Sequence, residues 1–250
     1  GRGVIEGGGA GVVDESGQAY TNRITITDCS FTSNNSGHAA LNVSFAKASF
    51  TVTGCLFENN TSAASNNDTQ PASVFHTRHH LAGSSVVMDR CRVVNNSGVS
   101  LMRFGNISPA VISNCLFSGN TPSQCVFLML PAWGGTPVVT NCTIAGNATV
   151  VGGTSARATI NNSIISDNTS LNSSATDVSL LVLKNTLLWN TPVGQGYNTA
   201  ASVNVIELNP LFRSSTDFHL RGTSPAVDAG NNAFVVGETD LDGAPRIIND

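Results

Sequence analysis

The sequence predicts an all-β chain wound into a right-handed parallel β-helix, a solenoid of about seven or more rungs closed by a C-terminal capping segment. Three observations point there. A pattern typified by Ala110–Pro122 (AVISNCLFSGNTP) recurs at Ile24, Phe50, Val86, Pro137, Ala158 and Leu181. Its spacing is in the twenties for most copies. Its apolar residues alternate with a period of two, as in a strand with one buried face.

Each copy divides into the same elements. An apolar pair such as Ile24/Ile26, Phe50/Val52, Ala110/Ile112 or Ala158/Ile160 opens a first strand. Next comes a column of Asp28, Gly54, Arg90, Asn114, Asn141, Asn162 and Asn185. Asn, Asp and Gly tolerate a left-handed backbone, so the column predicts a tight turn, with Arg90 the poor fit. A second strand follows. It points Cys29, Cys55, Cys91, Cys115, Cys142, Ser163 and Thr186 inward, and two residues later Phe31, Phe57, Val93, Phe117, Ile144, Ile165 and Leu188. A closing Asn (Asn34, Asn60, Asn96, Asn120, Asn147, Asn168) marks the next turn, and the seventh copy reads as one residue short, ending in Trp189-Asn190. Third strands are expected at Leu41–Phe45, Ser73–Arg78, Ser100–Phe104, Cys125–Leu130 and Thr149–Val151. Rungs about 4.8 Å apart put like residue on like residue, whereas a sandwich needs no identical residues at a fixed period. The right hand follows from the general preference of parallel connections.

The expected division is a β-helix over 1–202 and a cap over 203–250 packed on it rather than folded independently. Charged residues make up only 11% of the chain and the net charge is −4, which sets nucleic acid aside as a partner. No apolar run reaches membrane-spanning length, and no signal peptide is visible. Gly1 is not a natural start and the pattern is under way at Gly7–Val13, so a processed chain or fragment with a rung upstream is expected. Five of the six cysteines share one inward column, which Ser163 and Thr186 continue. Small buried free thiols are therefore favoured over disulfides. Cys125 stands outside the column. Gly7–Gly11 lacks the Lys-Ser/Thr of a phosphate loop.

The longest interval, Cys55 to Cys91, contains the polar stretch Thr61–Ala72, expected as a surface loop. Beside it, strict alternation places His76 and Arg78 on the outer face of the third-strand sheet, with Arg103 on the following rung, Asn42 and Ser44 on the preceding one, and His79 and His80 at the edge. This exposed face is the candidate ligand-binding site for an acidic glycan. His76, Arg78 and Arg103 are the candidate catalytic residues if the chain is a polysaccharide lyase, Arg neutralising a carboxylate and His acting as base. A solvated face holding three basic groups is the competing reading, since no acid or Tyr completes a catalytic set. The spacing of His76, His79 and His80 suits no common metal geometry on a strand. The acidic residues of the repeats form no adjacent-rung pair of the kind hydrolases use. Trp133 and Trp189 read as sugar platforms or as covers of the core.

Beyond about Val203 the period fades. Asn209-Pro-Leu-Phe212, Asp217-Phe-His-Leu220, Thr223-Ser-Pro-Ala-Val-Asp-Ala-Gly230 and Thr239-Asp-Leu-Asp-Gly-Ala-Pro-Arg-Ile247 follow in order. These motifs resemble the closing choice-of-anchor Q module of secreted bacterial β-helix proteins. The Asn-Cys-x-Phe-x-Gly-Asn rungs are similar to repeats of chlamydial-type polymorphic outer membrane proteins. The chain lacks the acidic-Ile-Gly-Ala-Tyr-Glu continuation of the first family, and of the Gly-Gly-Ala-Ile repeats of the second only Gly7–Ala10 comes close. The resemblance implies an extracellular or outer-surface protein and no particular reaction. An adhesin, stalk or carbohydrate-binding surface facing a polysaccharide or a host or cell-surface glycan is the leading expectation. The lyase is the alternative and a self-assembling fibre subunit the second. No cofactor is expected unless Asp228, Asp240 and Asp242 bind Ca²⁺; Asp-x-Asp-Gly is equally good turn chemistry. The tail's expected physical job is to cover an open strand edge.

Overall fold

The computed structural model describes residues 5–8, 22–36, 39–44, 48–63, 72–78, 84–104, 107–129, 136–153, 158–173, 181–194 and 197–247. Parallel strands from all seven repeat copies stack into a β-solenoid with two continuous sheets. First strands at Asn22–Thr27, Ala48–Thr53, Ser84–Asp89, Ile107–Ser113, Val138–Thr140, Ala158–Asn161 and Leu181–Trp189 pair in sequence order. Second strands, from Ser30–Thr32 to Ile164–Ser166, join the same sheet through Leu181–Trp189, which serves as both first and second strand of its copy. Third strands at Leu41–Ser44, Ala72–Arg78, Ser97–Phe104, Thr121–Met129, Thr149–Gly152 and Ser170–Asn172 form the other sheet, and Ile5–Gly8 pairs with Leu41–Ser44 ahead of them. Among the described residues no helix is long and apolar enough to cross a membrane.

The register is the one the repeat dictates. Phe31, Phe57, Val93, Phe117, Ile144, Ile165 and Leu188 are direct cross-strand partners in succession. All seven are buried. Phe31 and Phe57 stack with ring centroids 4.9 Å apart and 5° between planes, so ring spacing follows strand spacing. Both turns are left-handed. The first holds Asp28, Gly54, Arg90, Asn114, Asn141, Asn162 and Asn185 at φ of 45–64°. Even Arg90 is forced to 49°, because the coil leaves no other path. Gly54 stands where a Cβ would lie 2.2 Å from Asp28 Oδ1.

The closing Asn does more than mark a turn. The left-handed residue is the one before it (Ser33, Asn59, Asn95, Gly119, Gly146, Asp167, Asn190). The closing Asn points inward and builds a buried ladder. Each amide NH₂ donates to the next Asn Oδ1, from Asn34 through Asn60, Asn96, Asn120 and Asn147 to Asn168. The same Oδ1 accepts the preceding rung's backbone N–H. Thr191 Oγ1 ends the ladder by accepting from Asn168 N at 3.1 Å. The seventh copy is therefore full length, with a hydroxyl in place of the amide, and not one residue short.

The cysteine column follows similar logic. All six cysteines are free, and four of the column's five are buried; Cys29, in its first described coil, is exposed. Cys55, Cys91, Cys115 and Cys142 each donate S–H to the carbonyl two residues earlier, as Ser163 and Thr186 do with O–H. Cys91 N and Cys115 N donate to the next Sγ, and Cys142 N to Ser163 Oγ. The column thus selects small side chains that both donate and accept, which leaves Cys, Ser and Thr. Cys125 fills a separate buried niche against Gly152, where a Cβ would lie 2.6 Å from its Sγ; burial pushes its pKa up to about 12. Parts of the expected Thr61–Ala72 loop are strand: Thr61–Ser62 pairs with Asn35–Ser36, and Ala72 opens a third strand. Residues 64–71 lie outside the described residues.

Candidate functional site

Strand pairing brings Asn42, His76 and Arg103 into one column, with Ser44 beside Arg78. The column exists, but His76 and Arg103 do not stand on an exposed face. His76 is 1% exposed and Arg103 8%. Strict alternation leaves every second residue open to solvent, yet Ser100, Leu101, Met102, Arg103 and Phe104 are all buried, so both sides of this strand are covered. Arg103 Nη1 donates to His76 Nε2 at 3.1 Å. Arginine is donor only, so this geometry makes Nε2 the acceptor and places the imidazole proton on Nδ1. The base nitrogen is thereby occupied inside the protein. The side chains of Asn42, Ser44 and Arg78, and all of His79, His80 and Trp133, lie outside the described residues. Trp189 is 36% exposed on the last first-strand.

A second site, which sequence reasoning missed, lies on the first-turn column. After Val203–Ile206 pairs with Leu181–Trp189, the tail runs back along the solenoid as a strap. Asn162 Nδ2 donates to Asn231 O (2.9 Å) and Asn162 Oδ1 accepts from Asn231 N (3.0 Å). Farther toward the N-terminal coils, Asn114 Nδ2 donates to Val236 O (2.9 Å), Arg90 Nη1 to Thr239 Oγ1 (3.2 Å) and Arg92 Nη2 to Asp242 Oδ1 (2.8 Å). The left-handed turn frees the column's side chains to point at the strap. Local order in the tail comes from Ser224 Oγ donating to buried Pro210 O and from the Phe212–Phe218 ring pair at 5.2 Å.

Between strap and column lies a cleft of about 880 Å³. Its walls carry Asn141, Asn162 and Asn185 from successive turns and Asp228 and Asn232 from the strap, with Leu220 among its apolar contacts. Arg246 closes one side, fixed by its backbone N–H donating to Glu238 O at 3.0 Å. A smaller cleft of about 410 Å³ lies farther along, between Asp28, Gly54 and Arg90 on one side and Asp240–Gly243 on the other.

The three candidate calcium ligands are divided between these places. Asp228, at φ 56°, lines the larger cleft. Asp240 Oδ1 accepts from Asp242 N and Ala244 N and so forms a turn. Asp242 bridges Arg92 and His219. Among the described residues no group of three His, Cys, Asp or Glu is arranged to hold a metal.

His219 sits between two carboxylates, with Nε2 2.9 Å from Asp242 Oδ2 and Nδ1 on Asp217. Asp217 first, then Asp242, raises its pKa above the ordinary 6.5; in return His219 lowers that of Asp217 below 3.8. The raised histidine contributes to the strap's internal order fully below pH 6.5 and loses that contribution as pH rises through its folded pKa. The lowered carboxylate contributes above pH 3.8 and loses it as pH falls through its own folded pKa. Both groups are solvent-exposed, so the effect is modest. Proteolysis of the tail by a pH-insensitive protease is expected to quicken on going from pH 6 to pH 9, and His219→Gln is expected to flatten that profile.

No model of a known family matches the chain, and no characterised protein matches it either.

Proposed function

We propose that the protein is an extracellular or cell-surface β-solenoid that binds glycan chains in the strap cleft without transforming them. The carrying observation is the lining: side-chain amides from three successive turns and from the strap, one carboxylate, and apolar contacts among them. Amides both donate and accept, which suits sugar hydroxyls, and apolar side chains suit the C–H faces of the rings. Among the described residues lining this cleft Asp228 is the only carboxylate, and glycoside hydrolysis uses a pair. The lyase alternative loses its exposed His/Arg face to burial of His76 and Arg103. The tail's resemblance to the choice-of-anchor Q module, and that of the rungs to polymorphic outer membrane protein repeats, supports the surface location. Calorimetric titration with a panel of oligosaccharides should give binding with no change in chain length of the sugar. Asn232→Ala, on the exposed strap side, should weaken it by about fivefold, the loss of one hydrogen bond. Shortened or unsaturated products would overturn this function, as would binding to no glycan.

A further inference from the structure

The polar atoms of the cleft are not evenly matched. Among the described residues neither Arg246 Nε nor Asn141 Nδ2, both buried donors, has an acceptor, and both residues line the same cleft. Arg246 is the one cationic side chain among the described lining residues, and it makes no ion pair within the described part of the protein. Burial holds its pKa below the ordinary value, and the charges of Asp240 and Asp89 offset only part of this. The guanidinium nonetheless stays protonated, as arginine does throughout proteins. A charged fork and an amide N–H with no acceptor among the described residues form a seat for an oxygen anion, where charge-assisted hydrogen bonds are the strong ones. Asp228 stands on the same lining, as an acceptor for hydroxyls.

We infer that the cleft selects glycans bearing an oxyanion, a uronate carboxylate or a sulfate ester, and seats that group on Arg246 and Asn141. The inference rests on the glycan-binding function proposed above and names its ligand class. The chemistry is shared between the two anion sources, so the test carries an arm for each.

Cellotetraose, a β-1,4-linked tetraglucuronate and a sulfated cellotetraose are titrated into the protein at low salt, followed by competition with sodium sulfate alone. At least one charged oligosaccharide is expected to bind about tenfold or more tighter than the neutral one, with the advantage shrinking as salt rises. Arg246→Gln should abolish that advantage, so that on this variant the charged and neutral sugars bind alike. Arg246→Lys, which keeps the charge and guards against a folding defect in the first variant, should retain part of it. Sulfate should compete with the charged sugar. Preference for the uronate over the sulfated sugar assigns the anion as a carboxylate, and the reverse assigns a sulfate ester. Equal affinity for all three sugars, or a charge preference that survives Arg246→Gln, overturns the inference while glycan binding stands. Binding of none of the three overturns both.

Discussion

Asn120→Ala is expected to destabilise the protein by about 4 kcal/mol and to lower its Tm by roughly 10 °C or more. Asn120 is fully buried and tied to both neighbours in the ladder. Its Oδ1 accepts from Asn96 N (2.8 Å) and Asn96 Nδ2 (3.0 Å); its Nδ2 donates to Val93 O (2.9 Å) and to Asn147 Oδ1 (2.8 Å). Alanine removes all four bonds. Asn96 Nδ2 keeps its bonds to Phe57 O and Val94 O, but the Asn96 backbone N–H loses its acceptor. Four hydrogen bonds at about 1 kcal/mol net each, with the buried Asn96 N–H left unsatisfied, give this magnitude. Asn120→Asp is worse, because it turns an acceptor toward Val93 O and Asn147 Oδ1 and buries a charge. Thermal denaturation of both variants checks the order: wild type, then Ala, then Asp.

Phe117→Ala is expected to cost about 3–5 kcal/mol, the range for emptying a packed aromatic site. Phe117 is fully buried between Val93 and Ile144 in the inward column and meets Phe127 edge to face at 5.1 Å. The ring bridges the second-strand sheet and the third-strand sheet, so its loss opens a void where two sheets meet and no neighbour can collapse without breaking register. Phe117→Leu retains most of the volume and should cost under about 1.5 kcal/mol. Denaturant titration distinguishes the two by midpoint, with an unchanged slope.

The repeat was legible because a solenoid writes its contacts into the sequence at a fixed offset. The inward column from Phe31 to Leu188 and the turn column from Asp28 to Asn185 stand in the register that repeat spacing implies. Thr191 escaped because the repeat was expressed as a letter, Asn, while the ladder's end requires only an oxygen that accepts. His76 and Arg103 were assigned to an open face because alternation says which side a residue takes and nothing of what lies over that side. The strap was invisible for a different reason. Asn162 meets Asn231 across 69 residues and Arg92 meets Asp242 across 150, with no period linking the partners. The only trace was Arg90, a poor turn residue whose side chain reaches Thr239. Arg246 was read only as part of a tail motif, because its significance depends on which donors share its cleft.

Hydrogen exchange with and without a bound oligosaccharide tests the central claim, a binding cleft beneath the strap, most directly. Slowed exchange is expected at the turn residues Asn141–Thr143 and Asn162–Ile164 and at Ala226–Val235 on the strap, with the third-strand sheet unchanged. Protection centred on the strands around His76 and Arg103, with the strap unaffected, would contradict it.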